Sequence, residues 1–405
     1  MKEIYLDYAA TTPVDKKVFE TMIPFFTHEF GNPSSIYQLG LNAKKAVKDA
    51  RLSIATSINA NLNEIFFTGS GTESDNLAIT GIARANKKNG NHIITSKIEH
   101  PAVLETVKKL EKEGFAVTYL SVDRDGIVDI EELKNSIREN TILISIMYAN
   151  NEIGTVEPIA QIGNLIKEMN KEKVKKGSNS IYFHTDACQA AGFFKLNVEK
   201  LNIDAMTING SKIYGPKGSG FLYVKKGVPI EPIINGGGQE NGLRSGTENV
   251  ANIVGIAKAF ELAQENYKSY YHKLSVLQKY FIEKLTNSIP RIFFNGSLDH
   301  KLPHIISVTI LDIEGESMLL ALDQKGIYCS TGSACSMHSL KPSHVLKAIG
   351  LVDEAIHGTL RFSLGEHSTK KDIDYTVKEL AKVTETLRKI SPIHININDA
   401  RILTS

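Results

Sequence analysis

The residues best placed to do chemistry in this chain are a lysine and an acid that end two neighbouring apolar runs. Ser180-Ile181-Tyr182-Phe183-His184-Thr185 leads into Asp186-Ala187-Cys188-Gln189, and Ala205-Met206-Thr207-Ile208 leads into Asn209-Gly210-Ser211-Lys212. Both runs read as strands, so the pattern predicts Asp186 and Lys212 at adjacent strand ends. A lysine amine can hold an aldehyde covalently. A carboxylate can keep a pyridine nitrogen protonated, so that the ring withdraws electrons from a bound substrate. Together these are the demands of pyridoxal phosphate. Taken singly, either residue is an ordinary surface charge; the rest of the chain makes the pair informative.

Gly69-Ser70-Gly71-Thr72-Glu73-Ser74 follows the run Ile65-Phe66-Phe67 and opens a helix. Glycines there let backbone N–H groups approach an anion at the positive end of the helix dipole. The Gly-Lys-Ser/Thr ending of a P-loop is missing, and the plainer reading makes Thr72 an N-cap with Ser70 shaping the turn. His100, at the end of another strand, could stack on a flat cofactor or carry protons, or simply precede Pro101 at a helix start. Asn150-Asn151-Glu152-Ile153-Gly154 also follows a strand, where an amide could donate to a ligand or merely make a turn. The glycine-dense stretch Asn235 to Asn249 carries Arg244 and Thr247 into a helix. It reads as a further anion donor or a flexible linker. Cys335 lies among Gly332, Ser333, Ala334 and Ser336, a setting that suits an exposed nucleophilic thiol. Cys329 follows Ile327-Tyr328 and reads as a core thiol. Arg361 is placed at a strand start, where its guanidinium could take a carboxylate bidentately or lie on the surface.

These segments need a scaffold. From about residue 50 to 225, short apolar runs alternate with amphipathic helical stretches such as Glu73 to Lys88 and Pro101 to Glu113. That alternation predicts an α/β fold with a mostly parallel sheet covered on both faces. Thr247 to Ser288 reads as one or two helices, and a fresh β–α pattern follows from Ile305. A boundary near residue 262 gives a large unit over 16–262 and a smaller one made of 1–15 with 263–405. Lys171 to Asn179 reads as a surface loop. With 405 residues, 42% hydrophobic, the chain can bury a large core. A net charge of +2 gives no reason to expect nucleic acid or a membrane surface. No apolar run approaches the ~20 residues of a spanning helix, so a soluble, cytoplasmic protein is expected. Three cysteines make no disulfide framework and no zinc pattern, and no metal is expected.

In this order, the segments resemble the IscS/NifS-type cysteine desulfurases, pyridoxal-phosphate enzymes of aminotransferase fold type I, class V. The resemblance runs from Tyr5-Leu6-Asp7-Tyr8-Ala9-Ala10-Thr11-Thr12-Pro13 to about Ser368. It includes Phe30-Gly31-Asn32-Pro33-Ser34-Ser35, Thr72-Glu73-Ser74-Asp75-Asn76, Ile213-Tyr214-Gly215-Pro216-Lys217-Gly218 and Gly332-Ser333-Ala334-Cys335-Ser336. It implies a seven-stranded-type sheet in the large unit and the cysteine loop in the smaller one. It implies that Lys212 holds the cofactor, Asp186 faces the pyridine nitrogen, Gln189 the ring hydroxyl, and His100 stacks on the ring. Gly71, Thr72, Asn151, Asn209 and Ser211 would line the cofactor, joined by Thr247 from the other subunit of a homodimer. Asn32, Asn151 and Arg361 would hold the substrate. Catalysis would rest on Lys212, His100 and Cys335, converting L-cysteine to L-alanine with the sulfur passed to acceptor proteins such as an iron–sulfur scaffold. The family's IscS branch has Ser-Gly-His where this chain has Asn209-Gly210-Ser211, and threonine is frequent where this chain has Cys188. A selenocysteine lyase or a small-substrate aminotransferase of the same fold is the nearest alternative. A non-catalytic sulfur-transfer scaffold is the alternative of another class.

Overall fold

A computed structural model describes residues 3–331, 342–392, 394–397 and 399–401. β1 (Ile4–Tyr5) starts the chain, and seven strands then build the main sheet. They are β2 (Ile65–Thr68), β3 (His92–Ser96), β4 (Ala116–Leu120), β5 (Thr141–Ser145), β6 (Tyr182–Asp186), β7 (Ala205–Asn209) and β8 (Gly220–Val224). Their order is β2-β8-β7-β6-β5-β3-β4. β3 to β7 pair in parallel, and β8 runs antiparallel to both β7 and β2. The strands are nearly continuous in apolar residues because helices cover both faces, as parallel sheets require. With β8 reversed, β2, β3, β5, β6 and β7 all end at one edge. Open α/β sheets bind ligands at that edge.

The remaining strands are β9 (Ile292–Phe294), β10 (Ile305–Ile310), β11 (Ile327–Tyr328), β12 (Ser330–Thr331) and β13 (Thr359–Ser363). A four-stranded sheet has the order β12-β13-β10-β9, while β1 pairs in parallel with β11. The N-terminal segment therefore pairs with a strand of the C-terminal half. A second apolar core forms here around Leu6, Phe281, Val308, Met318 and Phe362.

One local expectation narrows and two change. The stretch from Thr247 is a single 39-residue helix, Val250–Ser288, which runs unbroken through residue 262 and feeds one core with Ile256 and Phe260 and the other with Leu277 and Phe281. Lys171 to Lys175 belongs to the helix Ile159–Lys175, whose apolar spacing outlasts the charged run; the loop begins at Lys176. Arg361 sits in the middle of β13 and is buried, because its neighbours β10 and β12 pair on both sides of it.

Candidate active site

Asp186 is the last residue of β6, buried, with Oδ1 accepting from the Cys188 N–H at 2.9 Å. β7 ends at Asn209, whose Oδ1 accepts from the Ser211 N–H and hydroxyl at 3.1 Å each, so it shapes the 3-10 turn Gly210–Lys212. The turn aims Lys212 at the N-terminal segment. Its Nζ donates to the Ala9 carbonyl at 2.9 Å and the Ala10 carbonyl at 2.5 Å. Gln189 donates to the same Ala9 carbonyl at 3.0 Å, and Thr12 binds the Ser211 carbonyl through its N–H and hydroxyl.

Beyond β2, Ser70 rather than Thr72 caps the helix Gly71–Ala85, since Ser70 Oγ accepts from the Glu73 N–H. That leaves the N–H groups of Gly71 and Thr72 in the first turn, where no intrahelical partner exists. A Cβ on Gly71 would lie 2.8 Å from Cys188 Sγ and 3.2 Å from Asn209 Cβ. Only glycine lets this helix start approach the ends of β6 and β7 so closely. An anion seated there would meet the dipole's positive end.

His100 is the N-cap of the helix Pro101–Lys112, and its Nδ1 accepts from the Ala102 N–H at 3.1 Å. The neutral ring then carries its proton on Nε2. Burial is the first cause holding this imidazole below the usual histidine range; Asp186 acts the other way, and Lys212 and His344 lower it further. Charging the ring would also put a second donor against the Ala102 N–H.

Arg361 reaches this edge from β13. Its Nη2 donates to Asp7 Oδ1 at 2.7 Å and its Nη1 to the Asn151 carbonyl at 2.9 Å, while its buried Nε has no partner among the described residues. Asp7 to Thr12 therefore connects Arg361 to Lys212. In the turn after β5, Asn150 makes the local bonds, its Oδ1 accepting from the Glu152 and Ile153 N–H groups, which leaves Asn151 the outward residue.

Beneath this surface lies a buried polar layer that sequence reasoning missed. Burial pushes Glu99 up to about 8, although Ser96 and Met147 donate to Oε1. Asp75 is held well above the usual carboxylate range by burial and by Asp186. His184 bonds to Ser145 and Thr207 and is held down to about 4 by burial. Burial therefore favours the neutral form of both Asp75 and Glu99. A helical-face count from Gly71 would have turned Asp75 toward the sheet; nothing in the local sequence singles out His184.

The expected residues fall into three groups. Lys212, Asp186, Gln189, Gly71, Thr72, His100, Asn209 and Ser211 gather at the sheet edge, and Asn151 and Arg361 adjoin them through Asp7 and the Asn151 carbonyl. Asn32 is exposed in a turn, accepting from the Ser34 N–H, and Thr247 is exposed ahead of the helix Val250–Ser288. Cys335 lies outside the described residues, with Thr331 and Pro342 as its described flanks. Cys329 is buried near Asp7 and Arg361, and burial pushes its thiol far up.

The Aminotransferase class-V family model matches residues 4–376. The chain is 52% identical over 394 residues to the cysteine desulfurase IscS of Clostridium botulinum (strain Hall), covering 97% of both chains. It belongs to the class-V aminotransferases, in their cysteine desulfurase branch. Among solved structures, a NifS-like protein superposes with a TM-score of 0.88 at 38% identity, covering 95% of this chain and all of that one. The structure of SspA in complex with cysteine gives a TM-score of 0.78, also at 38% identity, over 91% of this chain and 100% of that one. The α/β fold, the cysteine desulfurase class and the family resemblance read from sequence are thereby borne out. Among the described residues, no helix is long and apolar enough to cross a membrane, and no group of three or more His, Cys, Asp or Glu could hold a metal ion.

Proposed function

We propose that this cysteine desulfurase binds pyridoxal phosphate through Lys212 and Asp186 and moves the sulfur of L-cysteine onto Cys335, releasing L-alanine. The observation that carries the reading is the meeting, at one sheet edge, of a lysine, the buried acid Asp186 and a glycine-shaped helix start, with a buried arginine adjoining. Pyridoxal phosphate, when bound, supplies an electron sink for the substrate's α-carbon. Asp186 holds a proton on the ring nitrogen, and the first-turn N–H groups of Gly71 and Thr72 with the Ser211 hydroxyl take the phosphate. Gln189 keeps one amide hydrogen free beside its bond to Ala9. Arg361 and Asn151 orient the substrate carboxylate.

His100 offers a donor at Nε2 but no lone pair there, because Nδ1 is used as a cap. That leaves Lys212 Nζ as the atom that takes the substrate's α-proton and returns it. Cys335 attacks as thiolate. The carbon–sulfur bond of cysteine breaks, a sulfur–sulfur bond forms on Cys335, and the released carbon gains a proton to become alanine.

More than half of the exposed large apolar side chains among the described residues lie between residues 19 and 52, including Phe19, Phe26, Phe30, Ile36 and Tyr37. Such a concentration supports a homodimer, with Thr247 completing the other subunit's site. The two cores support a division into 16–262 and 1–15 with 263–405. Persulfide delivery to an acceptor such as an iron–sulfur scaffold, in the cytoplasm, completes the reading. The test is a single-turnover incubation with L-cysteine and no reductant. Alanine should form one-for-one with sulfur on Cys335, and alanine without protein-bound sulfur would overturn it.

A further inference from the structure

The glycine-dense stretch from Ile234 to Gly246 is no loose linker. Its two ends meet, with Ile234 and Arg244 forming a bridge and Gly246 N–H donating to Gln239 Oε1 at 2.9 Å. Two ion pairs then fasten it, one to the helix Gln38–Ile58 through Arg51 and the other to the helix Gly71–Ala85 through Glu73. Glu240 takes Arg51 bidentately at 2.6 and 2.7 Å and also accepts from the Phe67 N–H of edge strand β2 at 2.8 Å. Its side chain is 3% exposed, and its φ of +52° is a left-handed conformation that a non-glycine residue adopts only when held there. Arg244 donates from Nε to Glu73 Oε1 at 2.7 Å and from Nη2 to Oε2 at 3.3 Å.

Glu73 has a second duty. In an ordinary Ser-x-x-Glu capping box it would reach back to the cap's own N–H. Here Oε2 accepts from the Gly69 N–H at 2.9 Å, in the turn that forms the anion cradle. One carboxylate thus holds both the cradle turn and the loop that ends at the exposed Thr247.

We propose that Glu73 and Arg244 are positioning residues that serve two sites at once. Glu73 shapes the cradle of its own subunit, and the Glu73–Arg244 pair sets the loop that presents Thr247 to the other subunit. This rests on the shared-site reading above. Loss of Arg244 therefore acts across the dimer interface, on a site whose own residues are all intact.

The experiment uses mixed holo-dimers in which one subunit carries Lys212→Ala, so that only the other subunit's cofactor is covalently held and visible. The rate of that cofactor's loss is followed by absorbance after dilution into a scavenger. Adding Arg244→Ala to the Lys212→Ala subunit should speed loss from the intact subunit about tenfold, the scale of one charge-assisted hydrogen bond. Thr247→Ala in the same place should do at least as much. Glu73→Gln, which keeps shape and hydrogen bonding, should give a smaller effect, and combining it with Arg244→Ala should add nothing. Hydrogen exchange on the cofactor-free protein gives an independent reading, with faster exchange at Gly246 expected in Arg244→Ala. If Thr247→Ala speeds loss and Arg244→Ala does not, the positioning role is wrong. If neither acts across the interface, the shared site itself is wrong and this inference falls with it. An Arg244→Ala chain that fails to dimerise is replaced by Arg244→Lys, for which an unchanged rate and unchanged exchange at Gly246 refute the proposal.

Discussion

Arg361 gives the sharpest test of substrate recognition, because its environment sets an expected size. The side chain is 4% exposed and already shares its charge with Asp7 at 2.7 Å and the Asn151 carbonyl at 2.9 Å. Its Nε, without a partner among the described residues, is the position the proposed substrate carboxylate would satisfy. Losing a charge-assisted contact in such a place costs about 2–4 kcal/mol, so Arg361→Ala should weaken L-cysteine binding about 30- to 1000-fold. Cysteamine, which lacks the carboxylate, should lose less than about threefold, within the spread of substitutions that remove no contact. Asp7→Asn removes the competing anion while keeping the guanidinium, so cysteine binding should hold or tighten. Arg361→Ala also strands Asp7 and the Asn151 carbonyl, so its Tm should fall and titrations belong well below it. The assay is titration of the holoenzyme's cofactor absorbance with each ligand. Unchanged cysteine affinity, or an equal loss for cysteamine, would show that the carboxylate is held elsewhere.

Lys212 should carry the cofactor, so borohydride reduction should fix its mass on the peptide containing Lys212; label on Lys217 sinks the assignment. After incubation with cysteine, mass spectrometry should find one added sulfur atom on Cys335, with Cys335→Ser gaining none and Cys329→Ser still turning over. Cys329, with its thiol pushed up by burial, should resist alkylation at neutral pH. Glu99 titrates near 8 when folded against about 4.5 unfolded, so the unfolded chain loses that proton first. Its contribution is present below pH 4.5 and lost as pH rises toward 8, at no more than about 1.4 kcal/mol per pH unit. In urea unfolding of the cofactor-free protein, Glu99→Gln should flatten that slope, and an identical slope in both proteins would refute the assignment.

Legibility from sequence followed the physics of each signal. β2 to β7 were visible because each is a short apolar run set off by turn or helical segments. β8 was not singled out, because nothing local tells a reversed strand from the turn-rich segment before it. Asp186 and Lys212 could be read because each is polar directly after an apolar run. The capping role of Ser70 over Thr72 depends on a φ of −173° at one residue. Arg361 read as a strand-start residue, because pairing with β10 and β12 is long-range and leaves no local trace. The ion pairs of Glu73 and Glu240 span 171 and 189 positions and have no periodicity to reveal them. Only the Ser70-x-x-Glu73 spacing offered a hint.

Chain connectivity sets the last constraint on the sulfur's path. Ser330 pairs with Arg361 across β12 and β13, so the segment bearing Cys335 leaves from the strand beside the proposed carboxylate site. It returns at Ser343, whose hydroxyl meets Glu152 at 2.5 Å, next to Asn151 in the turn after β5. His344 adds a bond to the Glu99 carbonyl at 2.9 Å, directly before His100. Both ends are thus fixed to the elements that carry Asn151, His100 and Arg361. The described residues on either side of the segment that bears Cys335 are therefore tied to the proposed substrate site, where the proposed sulfur transfer needs them.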